Sequence, residues 1–296
     1  IVSPISEYPS RVSGRERVQK ARAPFCRKKE GSLLYSVITS KDNRLIKQYV
    51  RLSSSKSARE KEHLFTLEGI KLLEEAIKSG LSVKTVFVTQ ALLEKRGAIL
   101  EPLLEHCGDV RLVPRALESK LSQVETPQGV YAMVKKLDKM PAWDKIEYTG
   151  KSILLVDLQD AGNVGTIVRT AEALGIHRVC ATAHTCDFYN PKVIRSAMGS
   201  LFRMELVTVP DAVSAIERVR KTGAATYASV VSGLAESAGM FRFAENSMLV
   251  IGNEGSGLPA EIIDAADRSV TIRMCGNTES LNASIAACIL MWEMNQ

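Results

Sequence analysis

Residues 152–175 read SILLVDLQDAGNVGTIVRTAEALG. The first seven run almost without a polar break, the pattern of a strand covered on both faces of a parallel sheet. A polar turn with two glycines follows. Val164, Ile167, Val168, Ala171 and Leu174 then recur at helical spacing, and Gly175 closes the segment. Strand, loop and helix in that order are the opening of a βαβ unit.

The rhythm continues to the end of the chain. RVCAT (178–182), MELVTV (204–209), ATYASVV (225–231), MLVIG (248–252) and SVTIRM (269–274) read as further strands with helices between them. Such alternation predicts an α/β fold with a parallel sheet and ligands at the carboxyl ends of its strands.

Upstream, residues 33–136 predict a smaller α/β domain. KDNRLIKQYVRL (41–52) places Leu45, Ile46, Tyr49, Val50 and Leu52 at helical spacing, and HLFTLEGIKLLEEAIKSG (63–80) reads as a strand and then a helix ended by Gly80. VKTVFVT, VRLVP and GVYAMVKK are strand-like, with helical segments near 91–105 and 115–122. Residues 137–150, LDKMPAWDKIEYTG, have no periodicity and form the expected linker. Residues 1–32, rich in Arg, Lys, Ser and Pro, read as a basic disordered arm or as sequence foreign to the folded protein.

The 296 residues are 45% hydrophobic and 24% charged, the composition of a soluble globular protein. No stretch approaches the roughly 18 apolar residues of a membrane span, and no signal-type apolar run opens the chain. Six scattered cysteines include no CxxC and are expected to be free thiols in the cytoplasm. His177, Cys180, His184 and Cys186 match no standard zinc spacing and residues 179–182 read as strand, so no metal is expected.

The net charge of +6 is uneven. Residues 1–32 carry 8 basic and 3 acidic side chains, residues 33–136 carry 17 and 12, and residues 137–296 carry 14 and 18. A basic amino-terminal part suits a polyanion such as RNA, although an ordinary solvated surface accounts equally well for so small an excess.

Three strand ends share one composition. QDAGNVGTIVRT, NEGSGLPAE and CGNTESLNAS are each glycine-containing loops with Asn or Glu leading into a helix. IGNEGSGL lacks the GK[ST] of a phosphate loop, and no early strand ends in GxGxxG, which disfavours a nicotinamide-dependent oxidoreductase. Backbone amides, carbonyls and small side chains suit an adenosine-like ligand of neutral or positive charge.

These residues resemble the three motifs of the SpoU/TrmH class of SPOUT methyltransferases. The first is Asn163 with Arg169 six residues on. The second is residues 252–258, GNEGSGL. The third is Ile272-Arg273-Met274 followed by Ser280-Leu281-Asn282-Ala283-Ser284. NPKVIRSAMGSLFRMEL between the first two is also typical, and 33–136 resembles the family's L30e-like RNA-binding domain, with VETPQGVYAMV as its closing strand.

The resemblance implies a trefoil-knotted SPOUT domain over 151–296, S-adenosylmethionine as methyl donor and a homodimer. The implied substrate is a ribose 2′-OH of RNA, ribosomal RNA first and transfer RNA second. Arg169, Asn163, Glu254, Ser280 and Asn282 are the implied catalytic residues. Ser229, Gly252, Ile272, Leu281 and Ser284 are the implied cofactor contacts. A guanidinium is a poor base at neutral pH, so Arg169 is read as a phosphate clamp that polarises the hydroxyl, with Asn163 fixing it and Glu254 orienting. Singly, these residues would pass for a surface arginine and helix caps. A non-catalytic RNA-binding protein of the same fold is the alternative; it would have lost the pocket or Arg169. Two positions depart from the pattern: Ala161 and Arg273 both stand where Pro is usual.

Overall fold

The computed structural model describes residues 35–137, 143 and 148–296. The basic arm at 1–32 and most of the expected linker lie outside them. Two sheets form among the described residues.

The first sheet contains β1 (Ser36–Val37), β2 (Leu64–Glu68), β3 (Val83–Thr89), β4 (Asp109–Val113) and β5 (Val130–Lys135), in the spatial order β1-β4-β3-β5-β2. β1, β4 and β3 are parallel, whereas β5 runs antiparallel between β3 and β2. Helix α1 (Arg44–Ser54), capped by Asn43, turns Ile46, Tyr49 and Leu52 inward as its spacing predicts. The Tyr49 ring meets Phe87 and Tyr131 edge-on at 5.8 and 6.0 Å, the arrangement that aromatic quadrupoles favour. Helices α2 (Lys56–Glu62), α3 (Ile70–Lys78), α4 (Gln90–Leu104) and α5 (Glu118–Leu121) complete this body.

The second sheet contains β6 (Lys151–Leu155), β7 (Arg178–Thr182), β8 (Glu205–Val209), β9 (Ala225–Ser229), β10 (Glu236–Ser237), β11 (Ser247–Ile251) and β12 (Arg268–Thr271). Its order is β10-β12-β9-β11-β6-β7-β8, and every pair is parallel. Helices α6 (Ala161–Ala173), α7 (Pro191–Ala197), α8 (Ala212–Lys221), α9 (Ala260–Ala265) and α10 (Ala283–Glu293) cover it, with α10 against α6. All five residues of β11 are buried, as its unbroken apolar run requires. The chain leaves β6 toward β7 and β8, then returns to build the other half beyond β11. The sheet therefore changes direction at the β6–β11 pair, where such folds open a crevice beyond their strand ends.

Three local details differ from the sequence reading. Helix α6 begins at Ala161, three residues before the first apolar repeat, because Asp160 rather than Asn163 caps it. β12 stops at Thr271, so residues 272–274 belong to the following loop. The two-residue edge strand β10 has no periodicity to reveal it. Among the described residues, no helix is long and apolar enough to cross a membrane.

Candidate active site

The loop after β6 is held before α6 begins. Asp157 takes a left-handed conformation (φ 53°), and its N–H donates to Thr182 Oγ1 at 2.9 Å while that hydroxyl donates to Asp157 Oδ1 at 2.7 Å. At the helix start, Asp160 Oδ1 accepts from the Asn163 N–H at 2.9 Å, and Lys192 Nζ on α7 donates to the other oxygen at 2.9 Å. The Lys192 ammonium and then the Asn163 amide hold the Asp160 carboxyl below its ordinary range.

Asn163 is thereby aimed sideways. Its Nδ2 donates to Glu254 Oε1 at 3.1 Å, and its Oδ1 accepts from Asn282 Nδ2 at 3.1 Å. Glu254 also accepts from the backbone N–H groups of Asp160 at 3.1 Å and Gln159 at 3.3 Å. Burial pushes the Glu254 carboxyl up, but these amides and its own backbone N–H outweigh it and leave the group below the usual carboxylate range. Asn282 Oδ1 in turn caps α10, accepting from the N–H groups of Ser284 at 2.9 Å and Ile285 at 3.3 Å. One amide side chain joins all three glycine-containing loops.

The middle loop folds on itself. Asn253 and Gly257 exchange backbone hydrogen bonds of 3.1 and 3.0 Å, and Asn253 Oδ1 accepts from the Gly255 N–H at 2.9 Å. Asn253 Nδ2 reaches Asp157 O at 2.8 Å and so ties this loop to the first. Only glycine fits at 252, because a Cβ there would stand 2.5 Å from Gly257 C.

At the carboxyl ends of β9, β11 and β12, bounded by the second and third of these loops, lies a cleft of about 410 Å³, within the rough 300–1,000 Å³ range of small-molecule sites. Ser229, Gly252, Ile272 and Leu281 line it, as do Glu254 and Ser280. Asn163 and Asn282 stand behind the wall and connect its loops. Ser284 is buried, its hydroxyl donating to Asn282 Oδ1 at 2.6 Å. Arg169 is exposed on α6 outside the cleft wall, and no described residue pairs with it. Asn163 thus spans Glu254 and Asn282 instead of fixing Arg169. Asn253, Asp157, Thr182 and Lys192 also shape the site. Of these, Asn253 lay in the second motif and Lys192 in the family-like stretch 190–206, but none was read as a site residue, because they act through loop closure that spacing does not encode.

Among the described residues, the wall contains no lysine or arginine and one carboxylate, Glu254. That sign of charge disfavours a polyphosphate and accommodates a cation. Backbone groups of 252–258 and the apolar Ile272 and Leu281 suit an adenosine, so the residues present fit S-adenosylmethionine, whose sulfonium is positive.

Residues 150–292 match the SpoU rRNA Methylase family, and residues 43–132 match the MRM3-like substrate binding domain. The 23S rRNA (guanosine(2553)-2'-O)-methyltransferase RlmP of Bacillus subtilis is 31% identical, over 87% of this chain and 98% of its own. The 23S rRNA (uridine(2479)-2'-O)-methyltransferase of Streptomyces viridochromogenes is 30% identical, over 86% and 90%. Among solved structures, the AdoMet-bound rRNA methyltransferase from Sinorhizobium meliloti superposes with a TM-score of 0.73 at 26% identity, covering 88% of this chain and 97% of that one. In sequence, fold and family motifs alike, the chain belongs to the SpoU/TrmH family of S-adenosylmethionine-dependent RNA methyltransferases.

Proposed function

We propose that the protein methylates a ribose 2′-hydroxyl of ribosomal RNA. The observation that carries the reading is the adenosine-sized cleft, lined among the described residues by one carboxylate and no cation, with Asn163 joining its loops and Arg169 exposed on the same helix. When bound, S-adenosylmethionine supplies a methyl group already activated by a sulfonium. The chain's own work is then alignment. The cleft walls hold the adenosine, Glu254 and Asn163 keep the loops at one spacing, and Ser280 borders the reaction centre. Arg169 clamps the RNA phosphate and polarises the hydroxyl, with no side-chain partner among the described residues to compete for it.

Residues 33–136 are assigned to RNA recognition and 151–296 to methyl transfer, with 137–150 between. The last loop before α10 is assigned to the family's trefoil knot. Free thiols throughout the described residues suit a reducing compartment, and the cytoplasm is the proposed one.

A homodimer completes the proposal. Ile285, Ile289 and Trp292 form an i, i+4, i+7 stripe on α10, exposed by 50%, 36% and 57%. Such a stripe calls for a covering partner, and α10 lies against α6, which carries Arg169. A second copy seated there would stand beside the ribose site. Trp292→Glu should give a monomer in sedimentation.

Titration with S-adenosylmethionine, S-adenosylhomocysteine and NADH tests the cleft. The first two should bind and NADH should not. Methyl-labelled cofactor with ribosomal and transfer RNA then identifies the acceptor. Arg169→Ala should abolish transfer while cofactor binding persists. Full transfer by that variant would sink the assigned role, and cofactor binding without transfer to either RNA would favour an RNA-binding scaffold.

A further inference from the structure

The two sheets are joined by contacts that leave little freedom between their bodies. Arg59 on α2, 3% exposed, donates from Nε to Asp187 Oδ2 at 2.8 Å in the loop after β7. Its Nη1 donates to Leu52 O at 2.7 Å, so the buried guanidinium is held from both sides. Beside it, Phe65 of β2 packs on Tyr189 and Phe202 of the second body, with ring centres 5.0 and 6.0 Å apart.

At the edge of this junction Arg203 is shared between the bodies. Its Nη1 donates to Glu75 Oε2 on α3 at 2.6 Å, and its Nε and Nη2 both reach the Glu172 carboxylate, the latter at 3.1 Å. Glu172 lies on α6 three residues beyond Arg169, one turn along the same helix. The approach is close enough that a Cβ at Gly199, where φ is 91°, would stand 2.8 Å from Glu75 Cβ. Bodies within one chain move relative to each other unless their interface is large and apolar. Here an aromatic core, a buried ion pair and a three-residue clamp oppose that motion.

We propose that Glu75, Arg203 and Glu172 are positioning residues that lock the first body to α6, so that RNA held by the first body presents its target ribose to Arg169 at one fixed spacing. The inference rests on the methyltransferase reading. Selection of the nucleotide then depends partly on the distance between two surfaces, in addition to any contact with its base. A loosened clamp leaves the cleft intact but lets the wrong ribose, or none, reach the site.

The test compares the wild type with Glu75→Lys, which turns attraction to Arg203 into repulsion, and with the milder Glu75→Gln. A large-subunit ribosomal RNA transcript is the probe, with 2′-O-methyl positions mapped by reverse-transcription stops. Glu75→Lys should keep the wild-type affinity for S-adenosylmethionine while kcat/KM falls by about 100-fold, the scale of a misplaced reactant. The residual methyl groups should spread over neighbouring nucleotides, with Glu75→Gln intermediate. Equal kcat/KM and a single unchanged target in both variants would overturn the proposal. Hydrogen exchange without RNA supplies a second arm, in which Glu75→Lys should expose residues 64–68 and 199–203 while 247–251 stay protected. Equal protection there overturns the clamp whatever the RNA shows. A wild type that binds cofactor but methylates no RNA removes the functional reading, and exchange still decides the clamp.

Discussion

Asn163 Nδ2 donates to Glu254 Oε1 at 3.1 Å, across 91 residues of chain. The bond joins the first turn of α6 to the loop after β11, and with two backbone amides it surrounds the carboxylate with donors. An ionised acceptor strengthens each of these bonds over its neutral counterpart, so the charge of Glu254 holds the rim of the cleft together.

Glu254→Gln should therefore destabilise the protein in a pH-dependent way. The folded carboxyl titrates below its ordinary value, so its contribution is present above the unfolded pKa of about 4.3 and is lost as pH falls through the folded one. Thermal melts should show the variant below the wild type at neutral pH, with the gap closing under acid conditions. A gap that persists unchanged into strong acid would mean that shape, not charge, matters at this position.

Gly252→Ala should damage the cleft more than the fold. The added methyl meets Gly257 backbone that cannot yield without breaking the Asn253–Gly257 pair. Overpacking of this kind costs about 1–3 kcal/mol. Calorimetric titration should show weaker S-adenosylmethionine binding by about tenfold or more, while circular dichroism stays close to the wild type.

Asp187→Ala should be among the most destabilising single changes. It leaves the buried Arg59 guanidinium without its counter-charge, and stranding a buried ion costs about 3–5 kcal/mol. Urea denaturation reads this directly. Simultaneous replacement of Arg59 by Met should recover much of the loss, because the uncompensated charge leaves with it.

Ala161→Pro should stabilise. Ala161 is the first residue of α6, the helical position that proline's fixed ring favours, and its N–H serves no described hydrogen bond. Restricting the unfolded chain there is worth about 0.4–1 kcal/mol. A melting temperature raised by a few degrees is the expected result, and a fall would show that the turn before α6 relies on another backbone geometry.

The strands and helices were legible because burial writes a period into the sequence. The apolar run of β6 and β11 and the spacing of α1 and α6 each follow from which faces are covered. The motif residues were legible as a recurring loop composition, but of the polar side chains implied as catalytic only Glu254 and Ser280 border the cleft. Asn163 and Asn282, with Ser284, lie behind it and Arg169 stands outside. Less visible was the start of α6, since Asp160 caps it before any apolar repeat begins. Thr182 and Lys192 were invisible as site residues because each reaches its partner across a loop closure, at no characteristic spacing.

The sequence by itself therefore determined the α/β class, the parallel second sheet and the three glycine-containing loops that meet at Asn163, since local periodicity and composition encode them. The tertiary structure alone decided that Asn163 binds Glu254 and Asn282 while Arg169 stands apart on the surface of α6. It alone placed Arg59 on Asp187 and Arg203 between Glu75 and Glu172. Those partners lie far apart along the chain, and which donor meets which acceptor is settled only when strand order brings their loops to one edge and their helices to one junction.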